Sequence, residues 1–211
     1  MKPKIYLTEA EIEQAKDTLR NAGISSEKLL LMVSVLGSST EKTYPHKYLA
    51  TLLNQIVEET EAQLLFNYIP NQLEDAQQIF RYCKSKTQEH IFLNVFGKSL
   101  REFMGLTSQC DALFGNEGGA VNMAKALDVP SFAIFSPAVN KEDWSLFESE
   151  ENVAVHLKDF QPDLFPEESK STLKKRSAEL YLEFTPEFIS EKLSTFLKIL
   201  PKEKKPEGKT T

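Results

Sequence analysis

The chain has 211 residues, of which 41% are hydrophobic and 27% charged, as is typical of one well-buried soluble domain. The net charge of −6 argues against a nucleic-acid-binding protein, which needs a basic face. The longest apolar run, 29–36, is much shorter than the roughly 20 residues that span a bilayer, and the N-terminus lacks a signal peptide's apolar core. Cys83 and Cys110 form no CxxC pair, so we expect neither a metal site nor a cofactor. We expect both thiols to be buried, as in a cytoplasmic protein.

The predicted elements alternate between helices and strands. Thr8 and Glu11 have the spacing of a capping box, which predicts a helix that ends near Gly23. The apolar run at 28–35 then predicts a buried parallel strand. Further along, the pattern predicts a helix opened by Pro45, strand 63–69, helix 72–83, strand 90–95, helix 99–108, strand 111–115, helix 119–127 and strand 131–135.

This alternation predicts an α/β fold, a Rossmann-like, doubly wound parallel sheet with helices on both faces. We expect a single domain over residues 1–200, with a linker and the first helix in 1–27 and a disordered polar tail over 201–211. Ligands of such sheets bind beyond the carboxyl ends of the strands. The loops at those ends are 36–45, 67–71, 95–99, 115–119 and 136–142.

The most informative segment is 111–137, where a short apolar strand leads directly into a glycine pair and a helix of small residues. Unpaired amides and the helix dipole at such a start favour an anion, and small residues let it approach the backbone. The alternative is a tight turn that uses glycine for geometry alone. The residues that we expect to bind a diphosphate here are Gly118, Gly119 and Ala120.

A second segment, 35–53, is again a strand, a loop of small hydroxyl residues and a helix. Ser38 and Ser39 are candidate hydrogen-bond donors to phosphate oxygens, and Lys42 offers a mobile positive charge. Taken alone, the segment is equally described as a solvated loop with a hydroxyl cap and a surface lysine. Its position after a predicted strand makes it a candidate for the same diphosphate site.

Both segments resemble glycosyltransferase family 9, the heptosyltransferase-like enzymes of lipopolysaccharide core synthesis. That family has Lys-x-Trp-Pro after a small-residue loop, where this chain has Lys42-Thr-Tyr-Pro45. Its Gly-Asn-Asp-Thr-Gly-Pro-x-His motif resembles residues 115–122, which an alanine-rich run follows. Its Gly-x-x-Ser-Leu-x-Glu turn resembles 97–103, and its x-Pro strand with Phe-Gly-Pro-Thr resembles 129–138. The order and spacing match from about residue 28 to 145.

The resemblance implies a GT-B fold of two facing Rossmann-like domains, of which the C-terminal one binds the nucleotide-sugar donor. All the motifs in this chain belong to that C-terminal half. The implied partners are a nucleotide-diphosphate sugar, such as ADP-heptose, and an N-terminal acceptor domain, fused or separate, that holds a lipopolysaccharide or lipid-linked acceptor. The catalytic base would lie in that domain, so we assign no catalytic residue.

The chain departs from the family at Glu117 for Asp, Asn122 for His, Gly118 for Thr and Tyr44 for Trp. These departures keep the predicted diphosphate site, but they leave the identity of the sugar and of the nucleobase undetermined. The resemblance assigns the sugar to Glu117 and Asn122. The candidate residues for the nucleobase edge are Phe96, Gly97 and Ser99.

Two alternatives are a non-catalytic nucleotide-sugar-binding module and a domain like a sugar-nucleotide epimerase, which would have a carboxylate-rich start to the helix after the glycine pair. The basic run 174–176 is either a solvated helix face or a peripheral contact with the inner membrane. Trp144 is expected to anchor its helix or to line the donor cleft. His46, His90 and His156 lack partners at metal spacing, so no metal site is predicted.

Overall fold

The structure, a computed structural model, describes residues 3–141, 147–166 and 169–201. Its centre is a six-stranded sheet in the order β3-β2-β1-β4-β5-β6, in which all neighbouring strands are parallel. The strands are β1 (Leu30–Ser34), β2 (Gln63–Asn67), β3 (Ile91–Phe92), β4 (Ala112–Asn116), β5 (Ser131–Ile134) and β6 (Asn152–Val155). The predicted fold class, a doubly wound parallel α/β sheet, is confirmed.

The first helix, α1 (Glu9–Asn21), begins where the local sequence supplies a start signal. At α1, Thr8 donates its N–H to Glu11 Oε2 at 2.8 Å while its hydroxyl accepts from the Glu11 N–H, so the predicted capping box is present. The helices are α1 (Glu9–Asn21), α2 (His46–Thr60), α3 (Leu73–Tyr82), α4 (Ser85–Gln88), α5 (Leu100–Ser108), α6 (Gly119–Ala126), α7 (Lys170–Glu183) and α8 (Pro186–Ile199). Among the described residues, no helix is both long and apolar enough to cross a membrane.

The sheet is buried on both faces because its strands are apolar at consecutive positions. In β1, Leu31 and Val33 face a core that α2 and α8 complete, whereas Leu30 and Met32 face a second core with α1, α5 and α6. Side chains of a strand alternate between faces, so a continuous apolar run serves both cores at once. Helices on both faces leave the carboxyl ends of the strands as the edge where loops meet.

The structure differs from the prediction in the length of one strand and in elements that the sequence did not define. The strand predicted over 90–95 is only the two-residue β3, because the chain then bends and the Leu93 carbonyl accepts a hydrogen bond from the Tyr68 hydroxyl. The edge strand β6 and the helices α4, α7 and α8 had no predicted bounds. Trp144 and the tail beyond Pro201 lie outside the described residues.

Candidate functional site

The strand order reverses between β1 and β4, and the two candidate segments follow these two strands. From β1 the chain goes to β2 on one side, and β4 adds on the other side with Ser34 opposite Gly115. Loops that leave neighbouring strands toward opposite faces open a crevice, which is where doubly wound sheets bind their ligands. The structure therefore brings the loop of 35–45 beside the turn of 117–119, as the sequence predicts for one shared site.

Asn116 connects these two loops and is fully buried. Its Oδ1 accepts the Tyr44 N–H at 2.7 Å, and its Nδ2 donates to the carbonyls of Ser34 at 3.0 Å and Val35 at 2.9 Å. All three partners belong to the end of β1 and the loop that follows it. Sequence reasoning gave Asn116 no role, although a polar residue at the end of a buried strand is a signal for a side chain that bonds to neighbouring backbone.

The glycine pair forms the start of α6. Gly118 has φ 153° and ψ −165°, a backbone conformation that side chains rarely allow, and Gly119 is the first helical residue. Among the described residues, no side chain caps this helix start. Gly119 is exposed and Ala120 half-buried, and the first amides of a helix have no partner within the helix, so this start is accessible to an anion.

Lys42 and Glu117 meet across the crevice. The Lys42 Nζ lies 3.6 Å from the Glu117 Oε1, an ion pair longer than a hydrogen bond, and the two side chains are 41% and 10% exposed. The loop before Lys42 is held by Thr43, whose hydroxyl accepts from the Gly37 N–H and donates to the Ser39 carbonyl. Ser38 and Ser39 themselves are exposed on this loop.

The C-terminal helices cover the same loop from the other side. Ser136, just after β5, is fully buried and donates its hydroxyl to the Glu41 carbonyl at 2.6 Å. The Tyr44 hydroxyl donates to the Phe184 carbonyl at 2.6 Å, and the Tyr44 ring meets Tyr181 of α7 edge-on at 5.9 Å. The loop that carries Lys42 is thus attached to β4, β5 and α7, a support that the sequence did not reveal.

The predicted nucleobase residues follow β3 in the chain, and β2 separates that strand from β1. Each of the three has a structural role. The Phe96 ring packs against the Tyr68 ring at 5.2 Å, and the Ser99 hydroxyl caps α5. Position 97 requires glycine, because an added Cβ would clash with the Phe103 backbone. Their contact with a base stays a prediction, as does the sugar contact of Asn122, which is exposed on α6.

The three histidines are each engaged by the protein. The Nδ1 atoms lie 2.7 Å from Gln78 Oε1 for His46 and 3.0 Å from the Ala62 carbonyl for His90, while that of His156 accepts the Lys158 N–H at 3.0 Å. Burial lowers the pKa of His156. Within the described ranges, no three His, Cys, Asp or Glu residues gather to hold a metal ion.

A parallel sheet of this order, with a glycine-rich helix start at its switch point, defines a Rossmann-like domain of the kind found in GT-B glycosyltransferases. Residues 1–165 match the family model of glycosyltransferase family 9 (heptosyltransferase). The chain belongs to this family, which confirms the resemblance seen in its motifs. A comparison with curated protein sequences gives no match.

Two solved structures have a similar fold. One is the ADP-heptose lps heptosyltransferase II of E. coli, at 19% identity and a TM-score of 0.69 over 93% of this chain and 54% of that one. The other is a glycosyl transferase of family 9 from Veillonella parvula DSM 2008, at 17% identity and a TM-score of 0.63 over 85% of this chain and 54% of that one. The chain thus spans about half the length of these structures.

Proposed function

We propose that this chain is the donor-binding half of a glycosyltransferase, with residues 1–200 forming one domain that binds a nucleotide-diphosphate sugar. The observation that carries the proposal is the meeting of Lys42 with the glycine-rich start of α6 at the switch point. A mobile cation and free helical amides are complementary to a diphosphate. The donor and acceptor to test first are ADP-heptose and a lipopolysaccharide, because the similar E. coli enzyme is an ADP-heptose lps heptosyltransferase.

In this function the chain stabilises the departing diphosphate. Negative charge grows on the leaving group as the sugar is transferred, and donors already in place around it lower the barrier. Glu117 would hold the sugar hydroxyls from the adjoining turn. The residues that would receive the diphosphate are Lys42, Ser38, Ser39 and the amides of Gly118, Gly119 and Ala120.

The acceptor and the general base would come from an N-terminal domain, fused or separate. Sugar transfer needs a group that takes the proton of the acceptor hydroxyl, and it needs donor and acceptor held together. The candidate phosphate ligands all lie at one edge of one sheet. A second domain facing that edge would supply the opposite wall of the cleft.

Calorimetry of the chain with ADP, GDP and UDP at millimolar concentration tests the site. We expect heat of binding and a raised unfolding temperature with at least one of the three, because ligands that bind only the folded state stabilise it. Absence of both signals with all three nucleotides, in the chain and in a form joined to an N-terminal domain, would refute a nucleotide site.

A non-catalytic nucleotide-sugar-binding module is the second candidate. Gly118 offers no hydroxyl and Asn122 no titratable group, so the site has fewer catalytic functional groups than the family motif. An epimerase-like domain is disfavoured, because the first turn of α6 contains no acidic residue. Turnover by the joined two-domain protein separates the enzyme from the module.

A cytoplasmic location at the inner membrane is part of the proposal, since the acceptor would be a lipid. Lys174 and Lys175 are exposed on α7, whereas Arg176 pairs with Glu179 at 3.4 Å. Basic side chains near an anionic surface each add about 1 kcal/mol of attraction. Sedimentation with anionic and neutral vesicles tests this contact.

A further inference from the structure

His156 begins the turn that follows β6, and its side chain caps that turn. Its Nδ1 accepts the Lys158 N–H at 3.0 Å, while the His156 N–H donates to Asp159 Oδ2 at 3.0 Å. The two bonds form a capping box around the short 3-10 helix Leu157–Asp159. Caps of this kind are usually Ser, Thr, Asp or Asn, none of which changes its charge near neutral pH. A histidine in this place can do so.

The hydrogen bond to Nδ1 determines where the imidazole holds its protons. Because Nδ1 accepts the Lys158 N–H, the neutral ring carries its one proton on Nε2. A second proton has to bind at Nδ1, where it turns the acceptor into a donor that faces another donor. The charged ring of His156 is therefore incompatible with the cap that the structure shows.

The surroundings of the ring favour its neutral form. His156 is 4% exposed, and its ring packs against the Phe165 ring at 5.3 Å. Burial lowers the pKa of His156, the carboxylate of Asp159 raises it, the ammonium of Lys141 lowers it, and the backbone just after β5 raises it. Among the described groups burial has the largest effect, so the pKa of His156 lies below its ordinary value.

The capped turn is joined to the loop that follows β5. At the start of this loop, the Phe135 N–H donates to the Val155 carbonyl at 2.9 Å, directly before His156 in the chain. At its far end, the Lys141 Nζ lies 3.0 Å from Asp159 Oδ2, the same atom that accepts the His156 N–H. Both ends of the loop after β5 are thus attached next to the cap.

We propose that His156 is an acid-sensitive cap: a proton on its Nδ1 opens the turn after β6 and, through Asp159 and Lys141, loosens the loop after β5. The turn then lacks an acceptor for its backbone, and the capping box no longer holds the aspartate beside the lysine. The same loop carries Ser136, whose hydroxyl donates to the Glu41 carbonyl. The effect of the proton therefore extends to the loop that forms one side of the crevice.

The sign of the pH dependence follows from the preference of the fold for the neutral ring. The folded chain binds the second proton of His156 more weakly than the unfolded chain, in which the pKa has its ordinary value of 6.5. This contribution to stability is therefore complete above that pH and is lost as the pH falls below it, by up to about tenfold in the folded-to-unfolded ratio per pH unit. Carboxylates with a lowered pKa, such as Glu11, add their losses only below about pH 5.

His156→Asn tests the proposal, because asparagine is a good cap that takes up no proton. Urea unfolding of the unsubstituted chain at about pH 7.5 and about pH 5.5 should show a severalfold fall in the folded-to-unfolded ratio. In the variant this fall should be smaller, whatever its stability at the higher pH, where the shorter side chain gives up the Phe165 contact. His46→Asn is the matched control: it removes a histidine of α2 that takes no part in the cap, and the fall should persist.

Nuclear magnetic resonance of the unsubstituted chain gives a second readout, which also decides the matter if His156→Asn does not fold. The ring signals of His156 should titrate with a midpoint below pH 6.5, the ordinary pKa of the side chain. Exchange of the Lys158 amide, corrected for its intrinsic dependence on pH, should accelerate with the same midpoint. The Val139 amide, which donates to the Ser136 carbonyl in the loop after β5, should follow. An equal fall in stability with and without His156, or a Lys158 amide that stays protected when the ring is charged, would overturn the proposal.

Discussion

Asn116 and Glu117 are neighbours in the chain whose side chains perform different tasks. The Asn116 amide lies inside the protein and bonds to three backbone groups of the β1 end and its loop. The Glu117 carboxylate instead reaches the crevice, where Lys42 approaches it. Asn116 thus holds the two loops together, and Glu117 places a carboxylate in the crevice between them.

Lys42→Ala should weaken binding of a nucleoside diphosphate by about 1.5–3 kcal/mol, the range for a hydrogen bond to a charged group. The matched control is Lys47→Ala, whose ammonium lies over the Tyr82 ring at 5.4 Å on α2. We expect little change in that variant. Equal losses in the two titrations would mean that only the general electrostatic field matters.

Asn116→Ala should lower the free energy of unfolding by about 3 kcal/mol, because it leaves the buried Tyr44 N–H and two carbonyls without their partner. Asn122→Ala is the control on the exposed face of α6, where substitutions change stability by about 0.5 kcal/mol or less. Urea unfolding of both variants makes the comparison. Similar losses would contradict the role of Asn116 as a connection between the loops.

At this scale the sequence singled out charged and glycine residues as candidates and gave no role to the buried polar ones. Lys42 and Glu117 stand out because their residue types suggest chemistry, and their loops follow predicted strands. The roles of Asn116 and Tyr44 depend on backbone groups and side chains far away in the chain. Such long-range partners leave no local pattern, so only the folded structure exposes them.

At the scale of elements, the start of α6 depends on two glycines with different constraints. Gly118 has open space around it but adopts φ 153°, whereas at Gly119 an added Cβ would meet only a Met123 methyl at 3.9 Å. The first glycine is thus needed for backbone conformation. The second is helical, and in its place a larger residue fits without strain.

Gly118→Ala should therefore cost about 1–3 kcal/mol of stability through backbone strain, while Gly119→Ala should be neutral or stabilise by up to about 1 kcal/mol through helix propensity. Thermal unfolding of the two variants measures this difference. A reversed order would show that the conformation of the turn in solution is not the one described.

The elements themselves were predictable where their patterns are long. The apolar run of β1, the capping box of α1 and the small-residue helix α6 are each strong local signals. The edge strand β6 has four residues and sits beside acidic positions 150 and 151, and α7 has few buried residues on a largely polar helix. Pairing with β5 places β6, and packing against the loops after β1 and β6 places α7, rather than their own periodicity.

At the scale of the whole molecule, the chain corresponds to about half of the structures it resembles. The fold could be predicted from strand and helix alternation, and the family from motif order. The substrate and the acceptor depend on contacts outside these motifs. We therefore expect the activity to depend on groups that this domain does not supply.

The purified chain should have no measurable transferase activity with nucleotide sugars and lipid acceptors, and should gain it with an N-terminal acceptor domain. Orientation of two reactants contributes about 7–11 kcal/mol in favourable cases, and one wall of a cleft does not provide it. If the purified chain does show turnover, the same assay on the Glu117→Gln variant identifies the base. Turnover that survives this substitution would reveal an unrecognised base, and turnover that it abolishes would make Glu117 the base; either result contradicts the two-domain mechanism.

The sheet order also sets the timing of folding during synthesis. Leu31 pairs with Leu64 on one side and with Ala112 on the other, so β1 and β2 are available to each other long before β4 is made. Contacts between distant parts of a chain form late, because closing the long loop between them costs conformational entropy before the contact stabilises the fold. A ribosome that has translated the chain only as far as Cys110 therefore holds the lysine loop without the glycine turn, and the two sides of the crevice meet only after the glycine turn has been synthesised.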